Sequence, residues 1–381
     1  MSTRPVPSSG DIQHIRIEGL DVAVCPLEMP YPVRLGSIVY STRDYVALRL
    51  RTDAEIEGYA IGYTRDTPVL PALRTLAPEI IGQDARMIRS IVIRLNQAHG
   101  HAWGGFVRAA SLVDVALWDI AAKAAELPLY KLVGGYRDSV PAMAVAGYYP
   151  DRRPVEEIQE EVVLRAHEGF RIIKVGLPAL DRRADEIYIS RLRGALDATV
   201  DLAVDAHSAW TDLGSALAAC RRLDPLGLAF IEDPCSAESW RLMDDLQKRI
   251  RTPLAAADEV TTIEQYKHLL DAVTILRVDA TVCGGFTNAM MATQMAAAAG
   301  RSVIPHVFAG LHSHLAGALP NVQLVEVIPA EVGADPINRL LRSEPSITDG
   351  VLLLDSRAGN GIDLDWEAVS SHSSTMLKLP E

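Results

Sequence analysis

At 381 residues, with 49% hydrophobic and 23% charged positions, the chain is long enough for a large barrel plus an accessory domain and too evenly mixed to be disordered or fibrous. A net charge of −12 argues against nucleic acid or anionic lipid as general partners, while an anionic small molecule can still bind at a locally cationic site. Cys25, Cys220, Cys235 and Cys283 show neither metal-ligand spacing nor the density of a secreted scaffold, so a reduced cytoplasm is the expected compartment.

The first ten residues, MSTRPVPSSG, lack the apolar stretch of a signal peptide and are expected to form a disordered tail. Between residues 12 and 62, HIRIEGLDVAV, DYVALRLRT and EGYAIGY alternate apolar and polar positions as half-buried strands do. From about Pro71 a helical period takes over, most clearly in LVDVALWDIAAKAAELPLYKLVGG, where Gly134-Gly135 stops the helix. Residues 11–137 therefore predict an α+β domain. After Arg137 short apolar strands alternate with amphipathic helices: VPAMAVAGYY, RIIKVGL, DLAVDAH, LAFIEDP, PLAAADE, ILRVDAT, RSVIPHV and VQLVEVI. Eight such units over 138–345 predict a (β/α)8 barrel. A doubly wound sheet is the competing fold, and the lack of a Gly-rich phosphate turn counts against it. No apolar run is long enough to span a bilayer, so no membrane partner is expected.

Seven of the eight strands end on an ionisable residue: Lys174, Asp205, Glu232, Asp258, Asp279, His306 and Glu326. They recur every 20 to 31 residues, close to the roughly 30 of one barrel unit, and so gather at the C-terminal mouth where barrels keep their chemistry. Asp205, Glu232 and Asp258 are three convergent carboxylates without a cysteine, a donor set for a hard divalent cation rather than zinc. Asp279 and His306 close adjacent strands, where a carboxylate on one ring nitrogen would leave the other as a base. His312 and His314 fall in the following helix and read as structural.

ALWDIAAKAAELPLYKLVGG, FIEDP, AADE, DATVCGGFTNA, IPHVF and the late AGNGIDLD stand in an order and spacing that resemble the enolase superfamily, in its mandelate racemase/muconate-lactonizing branch. The resemblance covers nearly the whole chain. It implies a barrel capped by the N-terminal α+β domain, with residues 346–381 returning to complete that cap. It implies Mg2+ on Asp205, Glu232 and Asp258, a base dyad of Asp279 and His306, and Glu326 as an acid facing a substrate carboxylate. Glu259 is the less favoured ligand, because Asp258 keeps the family's spacing from Pro253. The implied chemistry removes a proton α to the carboxylate of a small molecule, with cationic charge held ready for the enolate. Relatives are commonly homo-oligomers, and the same is expected here.

One departure bears on the reaction. Many relatives carry K-x-K on the second strand, whereas this chain has Lys174-Val175-Gly176 and lacks the second lysine. Racemisation needs a base on each face of the carbon; β-elimination needs one. The departure therefore favours dehydration of a sugar acid, an aldonate or aldarate, over a racemase or epimerase that would use Lys174 or His207 as the partner base. His207, two residues after Asp205, shares its inward face and resembles the D-x-H of some sugar-acid dehydratases, where the histidine handles the departing hydroxyl. A hydrogen-bonded support for the ligands is its alternative role. Arg65 and Tyr148 are candidate substrate-binding residues.

Overall fold

A computed structural model of the protein describes residues 14–35, 38–99, 104–178 and 181–380; the tail expected at 1–10 lies outside them. Three antiparallel strands come first: β1 (Ile17–Leu35), β2 (Ile38–Thr52) and β3 (Gly58–Tyr63). Helices α1 (Val69–Ile80), α2 (Ile88–His99) and α3 (Val107–Ala124) pack beside them, and a single turn, α4 (Leu129–Leu132), leads onward. Most of α3 is buried, since one face meets β3 and another meets the barrel.

The barrel strands are β4 (Ser139–Ala146), β5 (Ile172–Gly176), β6 (Asp201–Asp205), β7 (Ile231–Glu232), β8 (Leu254–Ala256), β9 (Ile275–Val278), β10 (Ser302–Pro305) and β11 (Val325–Val327). They pair in parallel in chain order, and β11 returns to β4. Between β10 and β11 the circle closes on a bridge from Val303 to Val322. Seven helices cover the outside: α5 (Val155–His167), α6 (Arg182–Ala195), α7 (Leu213–Leu223), α8 (Trp240–Gln247), α9 (Ile263–Ala272), α10 (Phe286–Ala298) and α11 (Ala309–Ala318). This is the predicted (β/α)8 barrel beneath an α+β cap.

The C-terminal segment divides its attachments. β12 (Ser346–Thr348) and β13 (Val351–Leu353) form a hairpin that adds antiparallel to the barrel strand β4, not to the cap. The turn allows this because a Cβ at Gly350, φ 68°, would stand 2.4 Å from the Gly169 carbonyl oxygen. Farther on, α12 (Trp366–His372) lies on β1 and β14 (Thr375–Leu379) extends the cap sheet beyond β1.

Two layers of inward side chains set up the site. Met143, Ala203, Phe230, Ala255, Ile275 and Ile304 form an apolar floor. Two residues farther along each strand, on the same face, stand Val145, Asp205, Glu232, Ala257, Arg277 and His306. The cap is tied to this barrel by Asp114 of α3, which accepts from the Thr287 backbone N–H (3.0 Å) and hydroxyl (2.6 Å) and so caps α10 in trans. Gly285 is required there: its φ is 95°, and a Cβ would meet the Asp114 carboxylate at 2.2 Å.

His314 of α11 is buried, and its Nδ1 accepts from the Tyr130 backbone N–H (3.1 Å). Burial pushes its pKa down to about 4. The unfolded chain takes up this proton below about 6.5 while the folded chain refuses it, so the stabilisation is whole above that pH and declines below it. Urea unfolding between pH 7 and pH 5 should show an acid-induced loss smaller by about 2 kcal/mol in His314→Gln than in wild type. Equal losses in both proteins would contradict this.

Candidate active site

Lys174 is buried on β5 and is the hub of a charged layer directly above the floor. Its Nζ donates to both Glu232 oxygens (3.0 and 2.9 Å), lies 2.6 Å from Glu326 Oε1 and stands 3.4 Å from Asp205 Oδ2. Arg277, fully buried on β9, closes the ring: Nε lies 3.2 Å from Glu232 Oε1, and Nη2 pairs with Glu326 Oε2. Burial would lower the Lys174 pKa, but Glu232 and Glu326 raise it, so Lys174 stays a cation. Burial would raise Glu326, yet Arg277 and Lys174 hold it down at about 2. An ionised Glu326 accepts hydrogen bonds, including one from the Val307 N–H (3.3 Å). Arg277 was not singled out from sequence, although its place two residues before Asp279 puts it on the same inward face.

At the mouth, His306 Nδ1 bonds Asp279 Oδ2 (2.9 Å), which turns Nε2 toward the cavity, 3.6 Å from Asp258 Oδ2. Burial would lower the His306 pKa; Asp258 and Asp279 outweigh it and raise it. The Thr281 N–H (2.7 Å) holds the other Asp279 oxygen. His312, read as structural, clamps this dyad from behind. Its Nε2 accepts from the Ala280 N–H (3.0 Å), so Nδ1 carries the proton and donates to the Val307 carbonyl (2.7 Å). The residues after Asp279 and His306 are thereby tied to one ring. The clamp sits where the backbone is strained, for Val307 and Phe308 have φ of 39° and 41°, left-handed values that a β-branched residue seldom adopts.

Across the cavity, His207 Nδ1 lies 2.8 Å from Asp205 Oδ1, which also accepts the His207 N–H (2.9 Å). Burial would lower the His207 pKa, and Asp205 raises it. Gly176 pairs in register with Asp205, and a Cβ on it would lie 3.4 Å from His207 Nε2. The imidazole occupies the space over the glycine.

Carboxylate oxygens of Glu232, Asp233 and Asp258 lie within 4.8 Å of one another. Asp205 stands outside this group, drawn off by His207 and Lys174. Burial and the Asp258 and Glu232 carboxylates push Asp233 well up, and its Oδ1 is buried without a hydrogen bond. All-oxygen donors that repel one another and leave a buried oxygen unsatisfied fit a hard cation such as Mg2+. Glu259 turns outward instead, 3.4 Å from Arg65 Nε and paired with Arg108, and so fastens the cap to the barrel rim.

A cavity of about 510 Å³ opens between cap and barrel. His306, Asp258, Lys174, Asp205 and His207 line its lower wall. Tyr148, just after β4, and Arg65, just after β3, line it as well, and Tyr148 is held far above its usual pKa by burial. Eight of the ten residues singled out from sequence line this space; Glu232 is buried beneath Lys174 and Arg277, and Asp279 stands behind His306.

Residues 20–134 match the mandelate racemase/muconate lactonizing enzyme N-terminal domain, and residues 157–369 match the enolase C-terminal domain-like family. The chain belongs to the mandelate racemase/muconate lactonizing enzyme family. It is 26% identical to the L-talarate/galactarate dehydratase of Salmonella typhimurium, over 96% of this chain and 92% of that protein. It is 29% identical to the arabinonate dehydratase of Saccharolobus solfataricus, over 84% of this chain and 87% of that one. The crystal structure of L-talarate dehydratase from Polaromonas sp. JS666, complexed with Mg and L-glucarate, matches with a TM-score of 0.87 at 27% identity, covering 96% of this chain and 99% of that one.

In this family member, removing Arg277 would leave two buried carboxylates sharing one lysine. Arg277→Met should therefore destabilise by about 3–5 kcal/mol in urea unfolding. Arg277→Met/Glu326→Gln should recover part of that loss. A double variant no more stable than the single would contradict the pairing.

Proposed function

We propose that the protein is a Mg2+-dependent acid-sugar dehydratase that removes the proton α to a carboxylate and expels the β-hydroxyl as water. The observation that carries this reading is the pair of unlike imidazoles: His306 braced by Asp279 on one wall, and His207 braced by Asp205 above Gly176 on the other. Glu232, Asp258 and Asp205 would hold the metal, Asp205 through the oxygen that here meets Lys174 while the other keeps His207, with Asp233 beside them. Bound there, Mg2+ supplies positive charge against which the substrate carboxylate receives the electron pair of the breaking C–H bond.

The chain's own residues divide the remaining work. His306 takes the α-proton on Nε2, since its Nδ1–H is committed to Asp279. His207, with Nδ1 committed to Asp205, gives a proton from Nε2 to the departing hydroxyl. Lys174 stays charged under the substrate carboxylate because Glu232 and Glu326 fix it there. Tyr148 offers a hydroxyl to the sugar chain. A racemase or epimerase is the second reading, supported by the placing of His207 Nε2 where a second base would act. The four free, buried cysteines accord with work in a reduced cytoplasm, and no described helix is long and apolar enough to cross a membrane. Assembly as a homo-oligomer rests on the family resemblance alone.

A panel of aldonic and aldaric acids incubated with enzyme and Mg2+ should yield a 2-keto-3-deoxy acid from at least one member. His306→Asn should lower that kcat by about 10²–10⁴-fold, and EDTA should abolish it. Undiminished turnover in either case would overturn the reading.

A further inference from the structure

We infer that the substrate is a dicarboxylate whose second carboxylate sits on Arg43 in the cap, an inference that rests on the dehydratase reading and narrows it to aldaric acids. Arg43 projects from β2 into the upper part of the cavity and is only 5% exposed. Its Nε donates to the Ala334 carbonyl (3.0 Å), and among the described residues this is its one hydrogen bond. No described carboxylate comes within 4.0 Å of it. Asp335, the acid of its neighbourhood, is already engaged by the hydroxyls of Tyr63 (2.8 Å) and Tyr45. The two terminal nitrogens of Arg43 make no hydrogen bond among the described residues, which leaves them to meet a ligand in the cavity. Its flat fork suits a carboxylate, which can accept both nitrogens at once.

A second arginine shares this wall with Arg43. Arg43 and Arg65 flank one ring, their guanidinium carbons 5.1 and 4.9 Å from the centre of Tyr63. Arg65 is partly matched by Glu259, yet its Nε is buried without a hydrogen bond. Arg34 lines the cavity as well. Asp205 and Asp258 line the cavity on the barrel side and Arg43 and Arg65 on the cap side, with Asp151 also in its wall.

The separation suits a short chain. One aromatic ring links the two ends: the Tyr63 ring centre lies 6.4 Å from that of His306, and Arg43 and Arg65 both stand against it. A sugar acid with its first carboxylate at the acidic cluster and its α-carbon at His306 would bring its far terminus to this wall. A terminal CH2OH there leaves the Arg43 terminal nitrogens without an anionic hydrogen-bond partner. A terminal carboxylate supplies one.

The test compares aldaric and aldonic acids of matched configuration, differing only in CO2− against CH2OH at the far end. Wild-type kcat/KM should favour the diacid by about 100-fold or more, because a buried donor left unmatched rejects the analogue that lacks its partner. Arg43→Gln should lower the diacid value by a similar factor and change the monoacid value less than about threefold. Equal wild-type turnover of both acids would overturn the inference while leaving the dehydratase reading intact, and this comparison decides the matter even if the variant does not fold. If neither acid reacts, thermal shifts with Mg2+ separate the two ideas. A larger rise in Tm with the diacid keeps the seat and overturns the reaction; equal rises overturn the seat.

Discussion

The ring of Lys174, Glu232, Arg277 and Glu326 is the constraint on which the rest of the site depends. Two cations and two carboxylates lie in a layer sealed from solvent by the apolar floor below and the cavity residues above. None of the four could be buried alone, since an unpaired charge at that depth would neutralise itself or unfold its surroundings. Closing the barrel brings them together from four separate strands, so the charges are matched only in the folded state. Once matched they are stiff, and each fixes something functional. Glu326 holds the strained turn after His306, Lys174 directs a cation toward the substrate end, and Glu232 is set beside Asp233 and Asp258.

Above that layer the two halves of the mouth are built differently. On the β9–β10 side an imidazole is oriented by a carboxylate and clamped from behind by a second histidine. On the β5–β6 side a glycine makes room for an imidazole that leans on Asp205. Two histidines with their Nδ1 atoms committed present two Nε2 atoms to one cavity, yet their surroundings differ. Such a pair can take a proton from one carbon and give one to the hydroxyl leaving the next, as elimination requires. The cap adds Arg43 and Arg65 to the wall of the same cavity.

Much of this was legible in the chain, because period-2 strands put their chemistry at their last residue. Lys174, Asp205, Asp258, Asp279, His306 and Glu326 announce themselves by recurring once per barrel unit, and the dyad follows from adjacency in strand order. Arg277 escaped notice because it sits one inward position below a strand end, where an arginine looks like any exposed charge until the barrel closes over it. Arg43 was missed for a similar reason: in YSTRDYVALRL it reads as the polar half of an alternating strand. Asp233 follows Glu232 and would ordinarily face away, but a φ of 38° turns its carboxylate toward Asp258. The hairpin at 346–353 pairs with the barrel through a close glycine contact that no periodicity encodes.

The central claim is that one imidazole acts on one face of the α-carbon and that elimination, not inversion, follows. Partial turnover of a reactive sugar acid in D2O, with substrate and product recovered and analysed by NMR, tests it most directly. The expected result is a 2-keto-3-deoxy product carrying deuterium at C3, with any deuterium in recovered substrate found at C2 in the original configuration. Recovered substrate inverted and deuterated at C2, with no keto product, would contradict it.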